Sequence, residues 1–591
     1  MRDVIVVGAG GGGPVVATEL AAQGLDVLLL EGGPRFDHPR QDWSLLENDA
    51  NNVASGYLRT GPADRSRPAW FRELPQNTFL WQVAGVGGTT LHYFGNCPRA
   101  YPGVFAGYHG ADRNNYDVAH RFPFPYHELV PYYEWVEATL PVQTAAMGTK
   151  EELYFRGCET LGIPLQTTKT TKTASYRPQE NAILQPGGAA GRTTDPALLA
   201  FPASTGCTFC GRCTQGCMQP SRAPRNLTAK RSTDNSYVPM ALTADAWSRG
   251  GRAVTLIADA MVTRVRAEQV NGCLRATGVI WRDTATGATH TEDARVVVLA
   301  GGATENPRLW FNSGLPNPNG WVGRGYTSHD MDCVVGLFDE DTGSSRGAQS
   351  AARCDFPGYG GLQNVGLGPA LQGLTMGFSA SGVRNMYANG RGLTGPWDGP
   401  TGRVLGPELK EAMLHGIDRM LNVMCVTDDD VMPGNRVTVS ALPPDENGGL
   451  PRVEIHQRQR SARTNRNREF LARQAVRLLR GAGARTVYRL DWAPVLLHVH
   501  STMRMGASAS DSVLDSNAEA RAVRRLFVAD NSALPNSVGG PNPTLTAQAL
   551  ATRTAEKIFT RYFGGHPWVK KESPVVSTDP RVTRGLKALG L

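Results

Sequence analysis

The spacing of apolar positions changes character several times along the chain, and each change predicts an element. Val4 to Val7 is an unbroken β-branched run that reads as a buried parallel strand. A helix follows through Ala22, then a second strand from Asp26 to Leu30, ended by Glu31. Residues 35 to 75 are polar, rich in Pro, Asp and Arg and without a clear period; they read as an excursion from this first layer. Residues 101 to 140 are aromatic and proline-rich and close on a helix from His127 to Leu140, and residues 160 to 206 read as loop. Strand character returns at Ala253 to Val265, Leu274 to Trp281 and Ala294 to Ala300; Gly301-Gly302 stops the third strand and Glu305-Asn306-Pro307 opens a helix. Between 330 and 460 short strands dominate, at Cys333 to Phe338, Leu374 to Ser379, Asn422 to Thr427, Arg436 to Ser440 and Arg452 to His456, which predicts an antiparallel sheet domain. Residues 386 to 407, dense in Gly and Pro, are a candidate lid. A helix around 468 to 480 puts Arg473, Arg477 and Arg480 on one face and Leu471, Ala475, Leu478 and Leu479 on another. The chain closes through Val495 to Gly506, an apolar run from Leu526 to Asp530, and a helix that Asn542-Pro543-Thr544 opens and that runs to about Phe563.

Composition adds limits. At 591 residues the chain is long enough for two or more domains and a large core. Its 41% hydrophobic and 19% charged residues belong to an ordinary soluble globular protein. No apolar stretch is long enough to cross a bilayer, and no signal peptide precedes the first strand. A cytoplasmic location follows by default, with export in complex with a partner left open. The net charge of +8 is scattered, and its densest run, Arg458 to Arg480, reads as the solvated face of a helix rather than a nucleic-acid patch.

The chemistry begins in the first turn. Gly8, Gly10 and Gly13 fit G-x-G-x-x-G between a strand and a helix: one glycine for the tight turn, one for close approach of a pyrophosphate, one for helix-on-strand packing. Glu31, about 20 residues on, stands where a carboxylate takes the ribose hydroxyls. This half-site suits NAD or FAD alike; the bland alternative is a glycine-rich turn without a ligand. Trp81 to Gly95 holds further glycines among small hydroxyl residues, suited to backbone packed on a flat ligand or a phosphate. Of the ten cysteines, Cys97, Cys158, Cys273, Cys333, Cys354 and Cys425 are dispersed and read as small buried hydrophobes. Cys207, Cys210, Cys213 and Cys217 form C-x2-C-x2-C-x3-C, the ferredoxin-type run for an iron–sulfur cluster. Zinc ligation and disulfide pairing are the alternatives. A cluster there would send electrons to a redox protein; without one, oxygen or a small quinone is the acceptor.

Together these motifs resemble the glucose–methanol–choline (GMC) family of FAD-dependent oxidoreductases, its pyranose oxidase and sugar dehydrogenase branch in particular. The resemblance rests on the glycine motif with Glu31, Gly87-Gly88-Thr89-Thr90, Val296 to Pro307 with Arg308, and Val322-Gly323-Arg324. It continues through His498-x-x-Ser-Thr-x-Arg-Met-Gly506, Asp530 and Asn542-Pro543-Thr544. It implies an α/β fold: a Rossmann-like FAD-binding domain plus a substrate domain on a mainly antiparallel sheet with helices. The implied division is discontinuous, with 1–35, 76–100, 205–330 and 491–570 for FAD, 36–75, 101–204 and 331–490 for substrate, and 571–591 as a tail.

The resemblance also implies roles. Gly8, Gly10, Gly13 and Glu31 would hold the ADP half, with Val262 near the adenine. Gly87, Gly88 and Thr89 would face the isoalloxazine and pyrophosphate. Asp530, Pro543 and Thr544 would hold the ribityl chain and the pyrimidine end. His92 falls where some members, such as choline and pyranose oxidases, bond FAD covalently; it either tethers the ring or packs beside it. Oxidation of an alcohol requires removal of the hydroxyl proton and hydride transfer to flavin N5, and a histidine is the economical base. That base aligns with His498, partnered by Asn542. Ser501 replaces the family's usual Gly, so a small backbone shift would turn His500 inward instead; alternation along an extended segment puts both histidines on one face. The implied activity is oxidation of a sugar, glycoside or polyol hydroxyl, with a sterol or long-chain alcohol as the alternative substrate. A non-redox lyase on the same fold is the alternative of another class.

Overall fold

In the computed structural model the described residues are 1–35, 79–80, 82–186, 206–217, 228–377, 379–385, 403–404, 406–455, 460–492 and 495–569. Of the candidate lid at 386–407, residues 386–402 and 405 lie outside them, as do residues 36–75 of the expected excursion.

The β-branched opening run forms the strand Arg2–Val7, with Val4, Ile5 and Val6 fully buried. It pairs in parallel with Val27–Leu30 on one side and with the carboxyl half of Thr289–Leu299 on the other. Thr255–Ile257 and Leu526–Val528 extend this parallel sheet at its two edges. The amino half of Thr289–Leu299 turns into a different partnership, an antiparallel meander with Cys273–Asp283 and Ala260–Val270. The strand expected over Ala253 to Val265 is therefore two strands. Asp259, in the left-handed region at φ 55°, breaks them apart.

The helix Gly13–Ala22 packs on this sheet, Thr544–Tyr562 packs against that helix, and Tyr126–Thr139 packs against Thr544–Tyr562. Buried acids join them to neighbouring segments. Glu19 accepts from Trp135 Nε1 at 2.8 Å and Trp568 Nε1 at 3.2 Å, and Glu556 accepts from Tyr132 Oη at 2.6 Å. These carboxylates are satisfied by donors, which is what permits their burial.

A second sheet is wholly antiparallel. Its order is Arg403–Val404, Ser379–Asn385, Thr486–Trp492, Asp332–Leu337, Met420–Thr427, Gly360–Val365, Ala352–Phe356 and Ser175–Pro178. One face packs Val334, Leu362, Leu421, Val423 and Cys425 under the apolar stripe of the helix Ala462–Gly481, through Leu471, Ala475 and Leu479. Ser461 caps that helix, accepting from the Thr464 N–H at 3.0 Å. The opposite face presents Val365, Met424 and Val426, which pack with Met331, Phe94 and Leu497.

Several sequence expectations change here. The segment Leu374 to Ser379 is not a strand: Pro369, preset for a first helical turn, opens the helix Pro369–Gly377, and the strand follows at Ser379–Asn385. Arg436–Val439 and Pro451–Glu454 pair with each other in a separate ribbon rather than joining the large sheet. The expected loop at 160 to 206 contains an edge strand, Ser175–Pro178. Ala352–Phe356 and Gly360–Val365 have no counterpart among the expected strands. They carry glycines and the buried polar residues Arg353, Asp355, Gln363 and Asn364, which erase the usual alternation.

Candidate active site

The parallel strands end at one elongated cavity, lined by Val7, Leu30, Ala300 and Asp530, the position at which sheets of this kind hold ligands. Gly8 turns there at φ 105°, and a Cβ on it would meet the Ala300 carbonyl at 2.4 Å. Gly13 stands behind the wall: a Cβ on it would lie 1.9 Å from the Gly8 carbonyl, so only glycine lets the opening helix sit this close to its strand. Gly8 and Gly10 line the cavity, and the helix N-terminus points its amides into it. Gly88 and Thr89 line it next to Gly10, with a Cβ on Gly88 only 2.7 Å from Gly10 Cα. Gly87 does not; its N–H donates to the Ala9 carbonyl at 2.8 Å and ties the two glycine segments together.

Glu31 sits at the end of the second strand. Its carboxylate accepts from the backbone N–H groups of Ala9 at 2.7 Å, Gly33 at 2.9 Å and Gly85 at 3.0 Å. Burial nonetheless pushes its pKa up to about 7, against those three donors. Val262 and Met261 form the adjoining apolar wall. Asp530 accepts from the Gly302 N–H at 2.7 Å and from Asn306 Nδ2 at 2.8 Å, and burial raises it as well. Asn542, Pro543 and Thr544 close the far end, where the helix Thr544–Tyr562 begins. Gln82 also lines the cavity, with its Oε1 buried and without a protein partner. A glycine cradle, an oriented carboxylate beside an apolar slot and an unmet polar atom together fit FAD.

At that far end His498 lines the cavity; His500 is fully buried and does not. The chain leaves the strand Val495–Leu496 and bends at His498. Both imidazoles pack on the ring of His329, with centroids 5.1 Å and 5.0 Å away, but of the two it is His498 that reaches the cavity. His500 is locked instead against Thr327, through Nδ1 to Thr327 Oγ1 and through the backbone in both directions. Ser501 keeps the glycine-type conformation at φ 75°, at a cost of about 1–2 kcal/mol for an L-residue. Its N–H donates to the Asn531 carbonyl at 3.2 Å, which holds the turn.

A third histidine, His329, sets the protonation pattern. Its Nε2 lies 2.7 Å from the Ser537 carbonyl, which can only accept, so Nε2 carries the proton and Nδ1 the lone pair. His498 Nδ1, 3.0 Å from His329 Nδ1, must then be the donor. That leaves the lone pair of His498 on Nε2, where Asn542 Nδ2 donates at 3.2 Å. Asn542 Oδ1 accepts in turn from Gln363 Nε2. Burial lowers His329 to about 4 and holds His498 and His500 well below the ordinary histidine range; His329 and then Arg353 push His498 in the same direction. His498 is thus an unprotonated imidazole of fixed tautomer. Sequence reasoning missed His329 and Gln363; the only signal for His329 was a polar residue following the Val322-Gly323-Arg324 anchor.

Of the four clustered cysteines, Cys207, Cys213 and Cys217 share one packed cluster and Cys210 is exposed. Among the described residues no three His, Cys, Asp or Glu side chains converge to hold a metal ion, and all ten cysteines are free thiols. Cys210 is exposed and Cys207 partly so. Cys213 and Cys217 pack among Ile183, Leu184 and alanines, and Cys217 Sγ accepts from the Lys230 N–H at 3.3 Å. The left-handed turn at Cys217, φ 57°, fixes this arrangement. The run does deliver Thr214 to the cavity wall, where the Thr214 carbonyl accepts from His92 Nδ1 at 3.4 Å. His92 is buried and lines the cavity.

A dinucleotide cradle running into an imidazole–amide pair defines a flavin-dependent oxidoreductase. Comparison with known proteins agrees. Residues 170–331 and 433–551 each match GMC oxidoreductase, and residues 3–44 match an FAD binding domain. The chain is 26% identical over 585 residues to paromamine 6'-oxidase of Streptomyces fradiae, covering 94% of this chain and 91% of that one. It is 26% identical over 584 residues to 2-methyl-1,2-propanediol dehydrogenase of Mycolicibacterium austroafricanum, covering 95% of each. Its fold matches a formate oxidase of Aspergillus oryzae with a TM-score of 0.60 at 13% identity, over 95% of this chain and 99% of that one. The chain belongs to the GMC oxidoreductase family and is an FAD-dependent oxidoreductase acting on CH–OH groups. Among the described residues no helix is long and apolar enough to cross a membrane.

Proposed function

We propose that the protein oxidises a hydroxyl of a sugar, glycoside or polyol to a carbonyl, with His498 as the base. The observation that carries this reading is the lone pair of His498 Nε2, fixed by its neighbours at the cavity end where Asn542 stands. Bound FAD supplies the hydride acceptor. Gly8, Gly10 and Glu31 would hold its ADP half, Gly88 and Thr89 its middle, and Asp530, Pro543 and Thr544 the ring end. The N-terminus of the helix Thr544–Tyr562 would add positive partial charge at this end of the cavity. The substrate hydroxyl would displace the Asn542 hydrogen bond from His498 Nε2; Nε2 then receives the hydroxyl proton, and Asn542 Nδ2 donates to the substrate oxygen as the carbonyl forms. His498 needs no activation step because it is already unprotonated. The polyol class is supported by the polar wall around Asn542 and by relatives named for paromamine and for a propanediol.

The test is anaerobic mixing of the yellow protein with polyols and glycosides. Bleaching of the flavin band supports the reading. A band left intact by every such alcohol, or bleached only by sterols and long-chain alcohols, overturns it.

His92 is read as the tether. With its Nδ1–H given to the Thr214 carbonyl, Nε2 holds the lone pair that a bond to the ring requires. Acid precipitation should leave the flavin on the protein and release it from His92→Ala. Release from the unaltered protein would reduce His92 to a packing contact.

A further inference from the structure

The hydrogen bonds at the active end all run in one sense, and the chain they form ends in an unmet acceptor. From the Ser537 carbonyl outward, each group's role follows from the one before it: His329 donates, then His498, then Asn542, then Gln363. Gln363 spends its amide N–H on Asn542, so its Oε1 is an acceptor, and Asn96 Nδ2 donates to it at 3.3 Å. Asn96 therefore presents Oδ1. That atom is buried and without a protein partner, the residue is 2% exposed, and it lines the cavity. The alternative orientation of the Asn96 amide would set two acceptors against each other. The backbone around it is fixed: Asn96 bridges to Asn181, and the Cys97 N–H donates to the Glu180 carbonyl at 2.8 Å. A buried amide oxygen left without a donor is costly, so the site is built for something that donates.

We infer that Asn96 is a specificity contact that accepts a hydrogen bond from a second, non-reacting hydroxyl of the substrate. This rests on the polyol reading above. Asn96 is joined through Gln363 to Asn542, the residue that meets the reacting oxygen, so the second hydroxyl is recognised on the same wall as the first. Thr214 Oγ1, also buried and without a protein partner, lines the same cavity and adds to its polar character. A substrate with a single hydroxyl leaves Asn96 Oδ1 unmet. A polyhydroxylated one satisfies it, and the penalty for the unmet acceptor becomes discrimination.

The experiment is a cycle between protein and substrate, using the FAD-loaded protein, a methyl hexopyranoside and its monodeoxy analogues. In the unaltered protein one deoxy analogue, lacking a hydroxyl other than the one oxidised, should lose about ten- to a hundredfold in the rate constant kcat/KM. In Asn96→Leu that particular loss should shrink to about threefold or less, while losses for the other deoxy positions persist. Equal losses in both proteins would overturn the inference, as would a uniform response of the unaltered protein to every deoxy analogue, a result that needs no variant to fold. A shift of the flavin absorption band in Asn96→Leu with the deoxy loss intact would assign the acceptor to the cofactor and overturn it too. Failure of the parent glycoside to bleach the flavin would instead count against the polyol reading itself.

Discussion

One backbone carbonyl decides which nitrogen of His498 keeps its lone pair. Ser537 offers only an acceptor, His329 answers it with a proton, and the consequence passes to Nε2 of His498. His329 pays with a left-handed backbone at φ 55°, the kind of local strain that clusters at working sites. The pH dependence follows with a definite sign. The base works unprotonated, and burial, with His329 and Arg353, holds its pKa well below 6.5. The acid limb of kcat/KM should therefore lie below pH 6.5. His329→Gln removes one source of that depression and unlocks the ring, so the limb should move upward and kcat should fall. A limb at or above 6.5 in the unaltered protein would contradict this. The placement of His498 and Asn542 at the cavity was legible in the sequence because they sit in motifs with fixed neighbours. His329, Gln363 and Asn96 were not, since a single buried polar side chain leaves no periodic trace.

The elements that carry the cofactor depend on contacts too close for any side chain. Gly10 and Gly13 differ sharply in this respect. A Cβ on Gly13 collides with the Gly8 carbonyl, whereas a Cβ on Gly10 finds its nearest protein atom 4.0 Å away. Gly13→Ala should destabilise the protein even without FAD, by about 1–3 kcal/mol. Gly10→Ala should leave the unloaded protein's melting temperature near the parent's and weaken FAD retention. Thermal unfolding with and without added FAD separates the two. Helices with a clear apolar stripe were legible nearly to their ends: 468 to 480 was expected and Ala462–Gly481 is observed, and His127 to Leu140 became Tyr126–Thr139. The strands Ala352–Phe356 and Gly360–Val365 were not. Their inner face carries a buried ion pair, Arg353 with Asp355, and the amide of Gln363, and polar residues in the middle of a sheet mimic a loop.

At the scale of the whole molecule, the two ends of the sequence meet at one cavity. The first glycine turn and the last helix share its wall, with more than 500 residues between them in the chain. This was legible because both ends carry motifs, and because alternating short strands marked the intervening antiparallel sheet.

The central claim is that His498, and no other group, takes the substrate's proton beside the ring. Its direct measurement is the anaerobic rate of flavin reduction by a polyol that bleaches the unaltered protein, compared in His498→Ala. The account predicts that the variant keeps its yellow colour and its FAD while reduction slows by about two to four orders of magnitude. Reduction at a rate near that of the unaltered protein would contradict it and move the base elsewhere.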